Sequence, residues 1–152
     1  MKRECGISPT TLLICLTLLA GCFEDRWDKE VSSNPSAAKV SASGLCKAYG
    51  LDRAKADKDY KGKIIEVYGP VQETWAEGER TMVVLSVGKE AEVRCMVSPA
   101  SGPDLADLKV GRPTMLKGKC RGIVRGDLML GGCLIQDPLR ALKAKTMTGD
   151  PQ

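Results

Sequence analysis

Histidine is missing from all 152 residues, phenylalanine occurs once, and aromatic residues make up only 4 % of the chain. The first absence removes every Ser–His or Cys–His nucleophilic pair and every metal site that needs an imidazole. The scarcity of aromatics argues against stacking on single-stranded nucleic acid, which needs aromatic rings beside basic residues. The glycines at 118, 122, 126, 131 and 132 lack both the lysine spacing and the following helix of a phosphate-binding loop. No CxxC pair is present, which excludes a zinc knuckle and a thioredoxin-like redox motif. No apolar run reaches the roughly 20 residues that a membrane-spanning helix requires. The paired acids Asp57 and Asp59 are read as solvated helix-end charges, not a general acid–base couple. We therefore expect no catalytic residues, no metal and no cofactor.

The start of the chain is more informative. Lys2 and Arg3 precede the apolar run TLLICLTLLA, which ends in Gly21-Cys22. A basic start, a short apolar stretch and small closing residues are the parts of a secretory signal peptide. Leu19-Ala20-Gly21-Cys22 resembles the lipobox of bacterial lipoproteins. There the cysteine thiol is joined to diacylglycerol, and cleavage leaves that cysteine first. The expectation is a signal peptide over 1–21 and lipidation of Cys22, with acyl chains giving stable membrane residence at about 0.8 kcal/mol per buried CH₂. Phe23 follows the cysteine where an aspartate would retain the protein at the inner membrane. In a Gram-negative host this favours the outer membrane, facing the periplasm.

Seven cysteines occur in all; Cys5 and Cys15 leave with the signal and Cys22 carries lipid. Cys46, Cys95, Cys120 and Cys133 remain, an even number in an oxidising compartment, which points to disulfides with three connectivities. Loss of residues 1–21 removes two of 23 basic and one of 19 acidic residues, leaving a net charge of +3. That is too small to argue for a polyanionic partner.

Residues 22–42 mix charge with Ser, Ala and Pro and show no apolar period. They are expected to form a lipidated, flexible tether reaching roughly 25 Å. Trp27 lies in it, as an interfacial anchor or an ordinary tether residue. From Ser41 or Ser43 the pattern turns helical, with Leu45, Ala48, Tyr49 and Ala56 near one face and Gly50 dividing one helix or two short ones. The period then changes to two: Ile65, Val67, Gly69 and Val71 alternate with Glu66, Tyr68, Pro70 and Gln72. Further strands are expected at 81–87, 91–97, 113–124 and 128–135. A short helical turn around Leu105 follows the third strand, and Asp137-Pro138 opens a C-terminal helix or tail. Five strands with an extra element between the third and fourth match a mainly β, Greek-key OB-fold barrel over 43–137, led by a helix and followed by a tail at 138–152. An SH3-like barrel or split sandwich is the rival.

The run Ala56-Asp57-x-x-Tyr60-Lys61-Gly62-Lys63-x-Ile65-x-Val67-x-Gly69-x-Val71, with Val93-Arg94-Cys95, Gly118-Lys119-Cys120-Arg121-Gly122 and Cys133, resembles the tRNA_anti-like family. The likeness covers about 43–136. It implies a bacterial OB fold, often exported or lipid-anchored, and brings no catalytic residues.

Two sites follow as expectations. If Gly126-Asp127 makes a two-residue turn, Arg125 faces Leu128 and Cys120 stands opposite Cys133, within disulfide reach. A staple of that size contributes about 3 kcal/mol. Cys46–Cys95 then pairs by elimination. The binding face, placed where OB folds take ligands, comprises Trp75, Arg94, Met96 and Arg125, with a basic stripe of Lys117, Lys119 and Arg121 along strand four. That stripe reads more simply as a solvated strand face. The expected partners are the membrane, through the lipid, and a protein, peptide or glycan of the envelope. A nucleic-acid or other polyanion binder and a structural subunit of an envelope assembly are the alternatives, with nucleic acid disfavoured.

Overall fold

The computed structural model describes residues 25–86, 88, 92–101 and 105–136. The signal segment, Cys22 and the expected C-terminal helix lie outside these residues.

Helix α1 (Asp25–Ser33) leads into a short strand β1 (Ala38–Ser41) and two helices, α2 (Ala42–Leu51) and α3 (Arg53–Tyr60). The Ser41 hydroxyl caps α2 by accepting from the Gly44 N–H at 3.0 Å, and Asp52 caps α3 by accepting from Lys55 N–H at 2.9 Å. The second cap explains the division at Gly50–Asp52: an aspartate that satisfies a new helix start competes with continuation of the old one. Five strands follow: β2 (Ile64–Glu77), β3 (Arg80–Ser86), β4 (Glu92–Val97), β5 (Pro113–Val124) and β6 (Asp127–Gln136).

The sheet runs β1-β2-β3-β4-β6-β5, and β2 also pairs with β5, so β2 to β6 close on themselves. The β4–β6 contact is parallel and the other barrel contacts are antiparallel. This is the OB-fold barrel expected from the alternation, with one strand more. β1 is the addition; it lies parallel to the first half of β2, with Val40 beside Val67.

The barrel core is made of every second residue: Val67, Val71, Val83, Leu85, Val93, Cys95, Val97, Leu116, Cys120, Leu130 and Cys133 are all essentially inaccessible. Helix α2 packs on β2, β3 and β4 and adds Leu45 and Tyr49 to this core, while Ala56 of α3 joins it. Between β4 and β5 the described residues hold a 3₁₀ turn, Pro99–Ser101, and a helical position at Leu105, where the sequence suggests a helical turn.

Residues 25–41 are therefore not a flexible tether. Val31 of α1 is fully buried, and the β1 backbone is fixed by the sheet. The stretch lacks an apolar period because its contacts with the barrel are mixed and irregularly spaced: Trp27, Val31 and Val40 pack on it, while Asp28 and Glu30 bond Ser98 and Lys119. A helix this short is held by tertiary contact, not by propensity.

Candidate functional site

The candidate residues fall on two different surfaces. On β4, Val93, Cys95 and Val97 point inward, so Glu92, Arg94 and Met96 face out. On β3, Met82 and Val84 take the same outer side. Register then sets Trp75 of β2 opposite Met82, and Met82 opposite Met96, in one row across three strands. The adjacent row is Glu73, Val84, Arg94 and, on β6, Met129. Trp75 and Met96 are half-buried, and Met82 is only 4 % exposed. The row joins one indole to two polarizable thioethers, with Trp75 and Met96 accessible over the buried Met82.

Charge borders this row. Arg80 donates from Nη1 to Met96 Sδ at 3.4 Å. Arg94 bridges Asp127 at 3.2 Å and Glu92 at 3.6 Å, and its buried Nε–H has no acceptor among the described residues. Sequence reasoning named Trp75, Arg94 and Met96 but missed Met82, Val84 and Arg80. Residues 81–87 read as one apolar strand, and only the register separates its outward members from its inward ones.

The basic stripe is elsewhere, and two of its three members are engaged by α1. Lys119 Nζ donates to both Glu30 carboxylate oxygens at 2.8 and 2.9 Å. The Arg121 guanidinium lies 4.8 Å from the centre of the Trp27 ring, within cation–π range. Lys117 stands across from Glu66 of β2. Helix α1 covers what was expected to be a free basic face, so Lys119 and Arg121 are corrected from candidate ligand contacts to internal partners of α1. Arg125 sits exposed in the β5–β6 turn.

The cysteine staple is also corrected. Val124 pairs with Asp127, so the turn is Arg125-Gly126, both with positive φ (53° and 97°), as a type I′ hairpin demands. Irregularities between Lys117 and Lys119 and between Cys120 and Gly122 shift the register further. Cys120 consequently faces Leu130, and Cys133 comes to Gly118: a Cβ on Gly118 would lie 2.5 Å from Cys133 Sγ. Cys46, Cys95, Cys120 and Cys133 are all free thiols here.

Full burial first, then the neighbouring Cys95 thiol, pushes the pKa of Cys133 well up. Cys120 meets the Tyr49 hydroxyl at 3.7 Å, and burial raises both groups. Burial also raises Cys46 on α2 to about 11. Burial of this kind at Cys46, Cys120 and Cys133 disfavours the reactive thiolate. Among the described residues no cluster of three Cys, Asp or Glu side chains is arranged to hold a metal ion, and no helix is long and apolar enough to cross a membrane. Asp57 and Asp59 pair within their own helix region, with Lys61 and Lys55.

A closed five-stranded barrel with a parallel β4–β6 contact defines an OB-fold domain. The chain belongs to the tRNA_anti-like family, whose sequence profile matches residues 10–134. Among solved structures it is similar to a lipoprotein of Klebsiella pneumoniae, provisionally described as nucleic acid-binding. The two share 18 % identity and a TM-score of 0.56, over 72 % of this chain and 98 % of that one. It also resembles the Stn1–Ten1 complex of S. pombe (12 % identity, TM-score 0.39, 55 % of this chain and 66 % of that one). A Leishmania major protein, provisionally described as an aspartyl-tRNA synthetase, shares 13 % identity with a TM-score of 0.44, over 68 % of this chain and 22 % of that one. No curated protein matches the sequence.

Proposed function

We propose that this protein is a lipid-anchored module of the bacterial envelope whose OB domain binds, without catalysis, an apolar peptide segment of another envelope protein. One observation carries the binding site: Trp75, Met82 and Met96 form a continuous row on the outer β2–β4 face, where OB folds take ligands. A half-buried indole beside two thioethers suits an extended apolar peptide, and Arg80 and Arg94 supply orienting donors at its edge. The lipobox at Leu19–Cys22 and the lipoprotein among the similar structures support the envelope address.

A photo-crosslinking residue at position 75, in full-length protein kept in its native membranes, tests this. The expected result is one or a few discrete protein adducts that vanish when Met82 and Met96 are both changed to Ser. Retention on single-stranded DNA at low salt, lost on Arg80→Glu and Arg94→Glu, would instead favour the nucleic-acid reading suggested by the description of the Klebsiella protein.

A further inference from the structure

We propose that α1 seats the barrel directly on the phospholipid headgroup layer, making the surface around the start of α1 a membrane-contact face; this rests on lipidation of Cys22. Only Phe23 and Glu24 separate Cys22 from Asp25, the first residue of α1. Three Cα steps of 3.8 Å span at most about 11 Å, less than half the reach of the free tether that residues 22–42 suggest.

That short leash matters only if α1 cannot swing away, and five contacts hold it. Trp27 lies on β6 so closely that a Cβ on Gly131 would stand 3.0 Å from its ring, and one on Gly132 would stand 3.2 Å from Trp27 Cβ. Arg121 covers the same ring, and Lys119 binds Glu30 from β5. Ser98, at the end of β4, donates to the Asp28 carboxylate at 2.6 Å. Val31 is fully buried. These contacts fix the first turn of α1 beside Arg121, Ser98 and Gly132, and the anchored cysteine must lie within the 11 Å leash of that point. In the strand order β2-β3-β4-β6-β5, α1 lies on β6 and β5, whereas the Trp75–Met82–Met96 row is centred on β3, across the barrel. Seating the α1 side on the bilayer thus leaves the binding face directed away from it.

Neutron reflectometry on the acylated full-length protein in a supported phosphatidylethanolamine–phosphatidylglycerol bilayer tests the proposal. Protein density is expected to begin at the headgroups with no water layer between. Inserting 15 Gly/Ser residues between Glu24 and Asp25 leaves α1 docked and should open a gap of about 20 Å. Gly131→Val, which drives a side chain into the Trp27 ring, should open a comparable gap by freeing α1. A water layer of about 20 Å under the wild-type protein, or no movement on insertion, overturns the seating. Absence of acyl mass on Cys22, with no protein held at the bilayer, overturns the anchor and the seating together. Acyl mass with a wide water layer overturns the seating alone.

Discussion

Gly118 offers the sharpest test of the barrel's internal packing. Replacing it with alanine places a Cβ 2.5 Å from Cys133 Sγ, 3.3 Å from the Gly131 carbonyl and 3.4 Å from Leu130 Cβ. The first distance is more than an ångström inside ordinary contact. The sulfur has little room to retreat, because Cys133 is completely buried and its thiol already meets Cys95. Overpacking of this kind costs about 1–3 kcal/mol, and the closeness of the clash places Gly118→Ala near ~2. Cys133→Ala removes one buried heavy atom and should cost about 1 kcal/mol, comparable to an Ile→Val truncation. In the double variant the new methyl occupies space the sulfur has left. Its loss should stay near about 1 kcal/mol, giving a coupling of about 2 kcal/mol between the two sites. Urea denaturation of the four proteins under reducing conditions measures the cycle. Additive losses, or a Gly118→Ala variant within about 0.5 kcal/mol of wild type, would refute the assigned meeting of Gly118 and Cys133.

Three further outcomes are expected. Arg125 adopts a left-handed backbone (φ 53°) at the first position of a type I′ turn, so Arg125→Asn should raise stability by about 0.5–1 kcal/mol in thermal or urea unfolding. Burial raises Cys46 from 9.0 to about 11, so alkylation of the reduced native protein should stay slow at pH 9 and accelerate toward pH 11; its contribution to stability is complete below about pH 9 and is lost as pH rises from 9 through 11, because the unfolded thiol ionises first. The Arg94–Asp127 pair is about one-third exposed on both sides, so Arg94→Ala should change stability by less than about 1 kcal/mol while reducing crosslinking from position 75, a separation that differential scanning calorimetry and adduct yield read together.

Much of the barrel was legible because its residues obey a period. Strand β5 spans the 113–124 expected from alternation, and Ser41 caps α2 as its type suggests. Leu45, Tyr49 and Ala56 are buried together, as their spacing implied. What escaped depends on single residues or on register. Nothing periodic marks α1 and β1; Trp27 and Val31 become meaningful only once Gly131, Gly132 and Arg121 are brought beneath them by the barrel. The hairpin count failed because the turn lies one residue earlier and an irregularity between Cys120 and Gly122 adds a further one-residue slip. Lys119 and Arg121 looked like a free surface because nothing periodic announces the helix that covers them.

The docking of α1 also orders events in time. Glu30 and Lys119 are 89 residues apart in sequence, and Asp28 and Ser98 are 70 apart. The leading helix cannot settle until β5 and β6, the last strands to emerge from a ribosome or a translocation pore, have formed beneath it. Contacts this distant form late and slowly. Helix α1 therefore waits undocked for nearly the whole of synthesis and takes its place only once the final hairpin closes.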